Sequence, residues 1–82
     1  MTYVKKNPRD VYVGDWIRRD GKTFRVTKIG GPQPHYYGGT TVMAYHLYTE
    51  VERRGIFGRV FYRPGPLFSH VWDTGEVEVL EV

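Results

Sequence analysis

The sequence predicts an all-β fold, a sandwich or small barrel of five short strands in one domain. Three observations carry this. Apolar and polar residues alternate with a period of two in several short windows. Gly and Pro, ten and five of 82 residues, fall between those windows as turn signals. No window shows the apolar spacing of an amphipathic helix, which argues against a helix-turn-helix. A chain of this length makes one domain and buries only roughly 60% of its unfolded surface, so its core is small.

Residues 1–10 read as a flexible basic arm, because Asn7-Pro8 breaks regular structure and Lys5 and Lys6 suit solvent. Residues 11–82 form the domain. Its clearest signal is 11–29, a hairpin turning at Asp20-Gly21. A two-residue type I′ turn needs positive φ at both central residues, which Asp and Gly tolerate. This turn pairs Arg19 with Lys22, Arg18 with Thr23, Ile17 with Phe24 and Trp16 with Arg25. Alternation assigns Val13, Ile17, Phe24 and Val26 to the core face. Trp16, Arg18, Thr23, Arg25 and Thr27 take the other face, where Trp16 and Arg25 suit a cation–π pair worth roughly 0.5–1 kcal/mol. Gly14-Asp15 reads as a bulge or turn, with the carboxylate accepting from nearby backbone N–H groups.

Residues 30–39 hold two Gly pairs around two prolines, His35, Tyr36 and Tyr37. This composition reads as a long loop that presents aromatic rings to a partner or folds one back over the barrel end. Residues 40–53 alternate as a strand, with Met43, Tyr45, Leu47 and Val51 facing the core and Ala44, His46, Tyr48, Glu50 and Glu52 facing solvent. Arg54-Gly55 is a turn. Residues 56–63 read as a further strand bent at Gly58, ended by Pro64-Gly65-Pro66. Residues 67–74 suit either a short strand or a loop in which Leu67, Phe68 and Trp72 cover the core. Residues 76–82 close the sheet, with Val77 and Val79 inward.

The net charge of +3 conceals a division. Residues 1–63 hold all twelve Lys and Arg against five acids, whereas residues 64–82 hold four acids and no base. The basic body suits nucleic acid or an acidic protein. Equally, the acidic last strand can lie beside basic strands and neutralise them within the domain. The absence of Cys removes disulfides and thiolate sites and fits a cytoplasmic protein. No apolar run reaches the roughly 20 residues of a membrane helix, and no signal peptide is expected at the N-terminus.

Val13-Gly14-Asp15-Trp16-Ile17, Asp20-Gly21-Lys22 and Phe24-Arg25-Val26 together resemble the opening hairpin of SH3-like barrels, including KOW and Tudor-type modules. The resemblance covers about a quarter of the chain. It implies a five-stranded SH3-like barrel carrying a long Gly/Pro/Tyr loop, and a habit of binding nucleic acid, peptides or proteins. The second Gly of the KOW pattern is missing near Phe24, so no functional residue transfers. The Arg-, Gly-, Val- and Tyr-rich, Cys-free composition also resembles that of small bacteriophage proteins, which implies action in a host cytoplasm.

Catalytic patterns are weak. His35, His46 and His70 lack metal-ligand spacing, Ser69 and His70 point apart if on a strand, and the Glu pairs suit solvent-facing strand positions. The Gly30-Gly31-Pro32 stretch lacks the Lys-Ser/Thr of a phosphate loop. We expect no catalysis, cofactor, metal, small-molecule substrate or membrane association. The favoured reading is a protein-interaction module, a binder of a host protein or a small homo-oligomer, using His35, Tyr36, Tyr37, Trp72 or an exposed strand edge. The second is a nucleic-acid-binding module that sets Trp16 and Phe57 among Arg18, Arg25, Arg53, Arg54, Arg59 and Arg63. On one strand, Phe57, Arg59, Phe61 and Arg63 would share a face.

Overall fold

A computed structural model describes residues 2–71 and 74–81, with Tyr37 in backbone only. The described residues form an all-β sheet of seven strands: β1 (Thr2–Lys6), β2 (Trp16–Arg19), β3 (Lys22–Tyr37), β4 (Thr40–Arg54), β5 (Val60–Pro64), β6 (Phe68–Val71) and β7 (Val77–Glu81). The order is β1-β7-β2-β3-β4-β5, with β6 also paired to β4. The sheet is open, so five strands closed as a barrel give way to seven, six along an unclosed path and β6 beside it on β4.

The opening hairpin forms in the expected register, from Trp16 opposite Arg25 to Arg19 opposite Lys22. Asp20 and Gly21 both have positive φ, 53° and 76°, as the type I′ turn demands. The register buries Ile17, Phe24 and Val26, which join Val11, Leu47, Val77 and Val79 in one core. Val13 is 62% exposed and Val11 takes its place. The cause is the turn before β2. Tyr12 N–H donates to the Asp15 carboxylate at 2.9 Å, and Asp15 N–H donates to the Tyr12 carbonyl at 3.1 Å. That turn interrupts the alternation, so the strand parity of residues 16–19 does not extend back to Val13.

The sheet curls around this core. Phe24 of β3 meets Phe68 of β6 edge to face, with ring centroids 5.2 Å apart, although β4 lies between those strands. β5 and β6 lie end to end on β4, their registers differing by a single residue across Gly65–Leu67. Of the two readings of residues 67–74, a short strand therefore holds over Phe68–Val71.

Three further expectations change. Residues 2–6, read within a flexible arm, pair along β7 from Thr2–Glu81 to Lys6–Val77. A 3-10 turn at Pro8–Asp10, capped by the Asn7 side chain, follows and buries Pro8. Residues 30–39, read as a loop, are the far half of a β-ribbon that turns at Gly38-Gly39. Pro32 falls within an irregularity between Gly30 and Gln33, and this part of β3 is a sheet edge, where Pro removes no ladder bond. Gly31 is required there: its φ is +110°, and an added Cβ would stand 2.6 Å from the Ala44 carbonyl oxygen. In β4, Leu47 and Val51 face the core as expected, but Met43 is exposed and Ala44 is buried. Ala44 and Leu47 have opposite parity and are both buried where β3 and β6 flank β4. The ribbon stretches the molecule to 48 × 24 × 20 Å.

The acidic C-terminal stretch pairs with three of the twelve basic residues. β7 lies between β1 and β2. Lys5 pairs with Glu76 at 3.8 Å, Lys6 with Glu81 at 2.9 Å and Arg18 with Glu78 at 2.7 Å. The Glu81 carboxylate, hydrogen-bonded to Lys6, raises the pKa of that ammonium.

Candidate functional site

The strand expected over 56–63 is instead a hairpin end. Only Val60–Pro64 is β-strand, and Ile56–Gly58 form a 3-10 turn. The loop is closed by Gly55 N–H donating to the Arg59 carbonyl at 2.6 Å. The Phe61 ring lies over Gly55, where a Cβ would stand 3.1 Å from a ring carbon. The turn then needs two residues with positive φ, and they are Phe57 (62°) and Gly58 (73°). Glycine adopts that conformation freely, whereas an aromatic residue pays about 1–2 kcal/mol. The Phe57 ring gains no packing in return, being 99% exposed, and Ile56 beside it is 79% exposed. Phe57 therefore leaves the face shared by Arg59, Phe61 and Arg63.

Around this apolar tip the side chains of β5 are exposed throughout, including Val60, Phe61 and Tyr62. Arg53 and Arg54 stand opposite Phe61 and Val60. Arg63 lies over the Phe61 ring at 5.4 Å. Arg53, Arg54, Arg59 and Arg63 make no ion pair among the described residues. Ile56, Val60 and Tyr62 were not singled out from the sequence. The signal that locates them is Gly55 and Gly58 bracketing Ile56-Phe57, a turn composition read as a bend in a strand.

The other residues of the nucleic-acid set are engaged elsewhere. Arg18 is held by Glu78 and lies over the Tyr3 ring at 4.2 Å. Arg25 pairs with Glu50 and lies 4.4 Å over Tyr62 rather than on Trp16. Trp16 is half-buried on β2. The eight residues thus divide between two parts of the sheet. The protein-binding set divides also. Tyr36 is exposed near the ribbon tip, and His35 is half-buried with its ring 5.4 Å from that of His46. The Tyr37 side chain and Trp72 lie outside the described residues, as does Asp73.

An open groove of about 910 Å³ runs between β6 and the β2 and β7 strands, lined in part by Ile17, His35, Phe68, Ser69, His70 and Glu78. His70 is held below the usual imidazole range, first by burial and then by the Arg19 charge. Ser69 Oγ lies 2.8 Å from His46 Nδ1, so His46 and not His70 is its partner. No carboxylate contacts His46 among the described residues, and no group of three metal-ligating side chains gathers there. Among the described residues no helix is long and apolar enough to cross a membrane. No protein-family model matches the chain, and neither does any curated protein or solved structure.

Proposed function

We propose that the protein is a non-enzymatic protein-interaction module on a curled, SH3-like β frame, and that its contact surface is the β4–β5 hairpin. The observation that carries this reading is Phe57. An aromatic residue sits in a backbone conformation that costs energy, with its ring fully in water. Folding gains nothing from that arrangement, and a partner that covers the ring gains an aromatic anchor. Ile56, Val60, Phe61 and Tyr62 extend the apolar surface around it.

The four arginines of the same hairpin favour a second reading, in which Phe57 stacks on a base and Arg53, Arg54, Arg59 and Arg63 contact phosphates. A photo-crosslinking phenylalanine analogue at position 57, compared with one at exposed Tyr12, separates the two readings. In extracts of the producing cell, the interaction module gives a protein adduct at position 57, insensitive to nuclease and absent at position 12. A nuclease-sensitive adduct weakened steeply by salt would replace it with the nucleic-acid reading.

A further inference from the structure

Taking the β4–β5 hairpin as the contact surface, we propose that the free edge of β5 takes up an extended acidic segment of a partner protein as an additional β-strand. β5 ends the sheet path, and its ladder to β4 shows which backbone groups are free. Antiparallel partners alternate between bonded and non-bonded pairs. Gly55 N–H donates to Arg59 and Gly65 N–H donates to Thr49, which places Phe61 and Arg63 in the bonded pairs between them. The N–H and C=O groups of Val60 and Tyr62 therefore point away from β4. Pro64 has no N–H, so the docking edge is short and centred on Phe61.

Side chains define what this edge accepts. Arg59 has extended backbone, with φ −63° and ψ 133°, so it continues the alternation with Phe61 and Arg63. Arg53 joins them on that face from β4, opposite Phe61. One face of the edge thus presents an aromatic ring between arginines that no carboxylate of the described residues neutralises. An incoming strand with an acid, an apolar side chain and an acid at alternate positions matches it. A second copy of this chain does not. Antiparallel pairing of β5 with itself about Phe61 would set Arg59 against Arg63 twice, and like charges directly opposite destabilise a sheet. The same arginines that attract an acidic strand exclude an identical one. The other long edges are defended or already paired. The ribbon part of β3 carries Pro32, Pro34 and an irregular register, and β1 carries Lys5 and Lys6 in ion pairs with Glu76 and Glu81.

The test uses the full chain and a capped synthetic peptide in which Asp, Val, Phe, Thr and Asp follow one another, flanked by Ser. A scrambled peptide with the acids adjacent serves as control. Calorimetry is expected to show binding of the alternating peptide at least about tenfold tighter than the scramble. NMR is expected to show slowed exchange at the Val60 and Tyr62 amides. Val60→Pro removes one outward N–H without taking a bond from β4, and abolishes binding. The double variant R59E/R63E loses the acidic peptide and gains a peptide with Lys at both Asp positions. That reciprocal gain shows that the variant is folded. Equal affinity for peptide and scramble overturns the proposal. Binding of the alternating peptide without protection of Val60 and Tyr62 also overturns it, but leaves an interaction module standing. Salt-sensitive binding of a mixed oligonucleotide pool with no peptide binding overturns both. A dimer by light scattering that Val60→Pro dissociates would make a second copy the occupant and refute the acidic partner.

Discussion

The two hairpins β2–β3 and β4–β5 are built from the same residue types and used oppositely. Each has a turn with two successive positive-φ residues, Asp20-Gly21 in one and Phe57-Gly58 in the other. Each sets arginines beside apolar residues. In the first, Ile17 and Phe24 face each other and are buried, and Arg18 is claimed by Glu78. In the second, the β5 side chains lie in solvent and the arginines pair with no carboxylate among the described residues. The difference lies in what the rest of the chain supplies. β7 brings Val77, Val79 and Glu78 to the first hairpin, and among the described residues no strand lies beyond β5. Apolar and Arg content alone therefore does not separate a folding surface from a contact surface; the neighbour across the sheet does.

Substitutions on each side test that contrast. The largest effect is expected at Leu47, which is fully buried. Leu47→Ala costs about 2–5 kcal/mol and lowers the melting temperature by about 10 °C or more, as thermal unfolding followed by circular dichroism would show. An equal loss on truncating Ile56 would erase the distinction between the packed part of the sheet, where Leu47 lies, and the exposed β4–β5 tip. Thr49 is buried, and its hydroxyl donates to the Pro66 carbonyl at 2.6 Å, tying β4 to the link between β5 and β6. Thr49→Val costs about 1 kcal/mol in urea unfolding. At the hairpin tip the sign reverses. Phe57→Gly relieves the left-handed backbone and raises stability by about 0.5–1 kcal/mol, while deleting the ring that carries the proposed contact. A destabilised Phe57→Gly protein would mean that the ring packs in solution.

The smallest effect is a pH slope confined to the packed half. Burial and Arg19 lower the His70 pKa below its ordinary value of 6.5. Between the lowered value and 6.5 the unfolded chain binds more protons than the folded one, so stability rises with pH there. The full contribution is present above 6.5 and is lost as pH falls through the folded value. Urea midpoints are expected to decline from about pH 7 to about pH 5, and to decline less in His70→Phe. An unchanged slope in that variant would place the titration elsewhere.

The opening hairpin was legible because its determinants are local: Asp20-Gly21 fixes the turn, and two-residue periodicity then fixes every partner. The inward Val77 and Val79 were legible for the same reason. β1 was not, because its pairing partner is β7 at the opposite end of the chain, and Lys5 and Lys6 look solvated until Glu76 and Glu81 stand beside them. Val13 and Met43 were misplaced where a turn and a flanking strand break simple parity. At the candidate site, Arg53, Arg54, Arg59 and Arg63 were found by composition. The conformation of Phe57 was not, since the left-handed region is not an aromatic residue's preference and only closure over Gly55 imposes it.

The far half of the β3–β4 ribbon has a kinetic consequence. From Pro34–Met43 to Tyr37–Thr40, two strands pair with each other and no third strand flanks them among the described residues. An isolated pair of strands is marginally stable in water. Amide protons along this stretch should exchange through local fraying, at rates insensitive to low concentrations of denaturant. Those of Ile17, Val26 and Leu47 should exchange only when the whole sheet opens. One molecule thereby holds a segment that reshapes repeatedly within the lifetime of its own folded state, anchored to a body that does not.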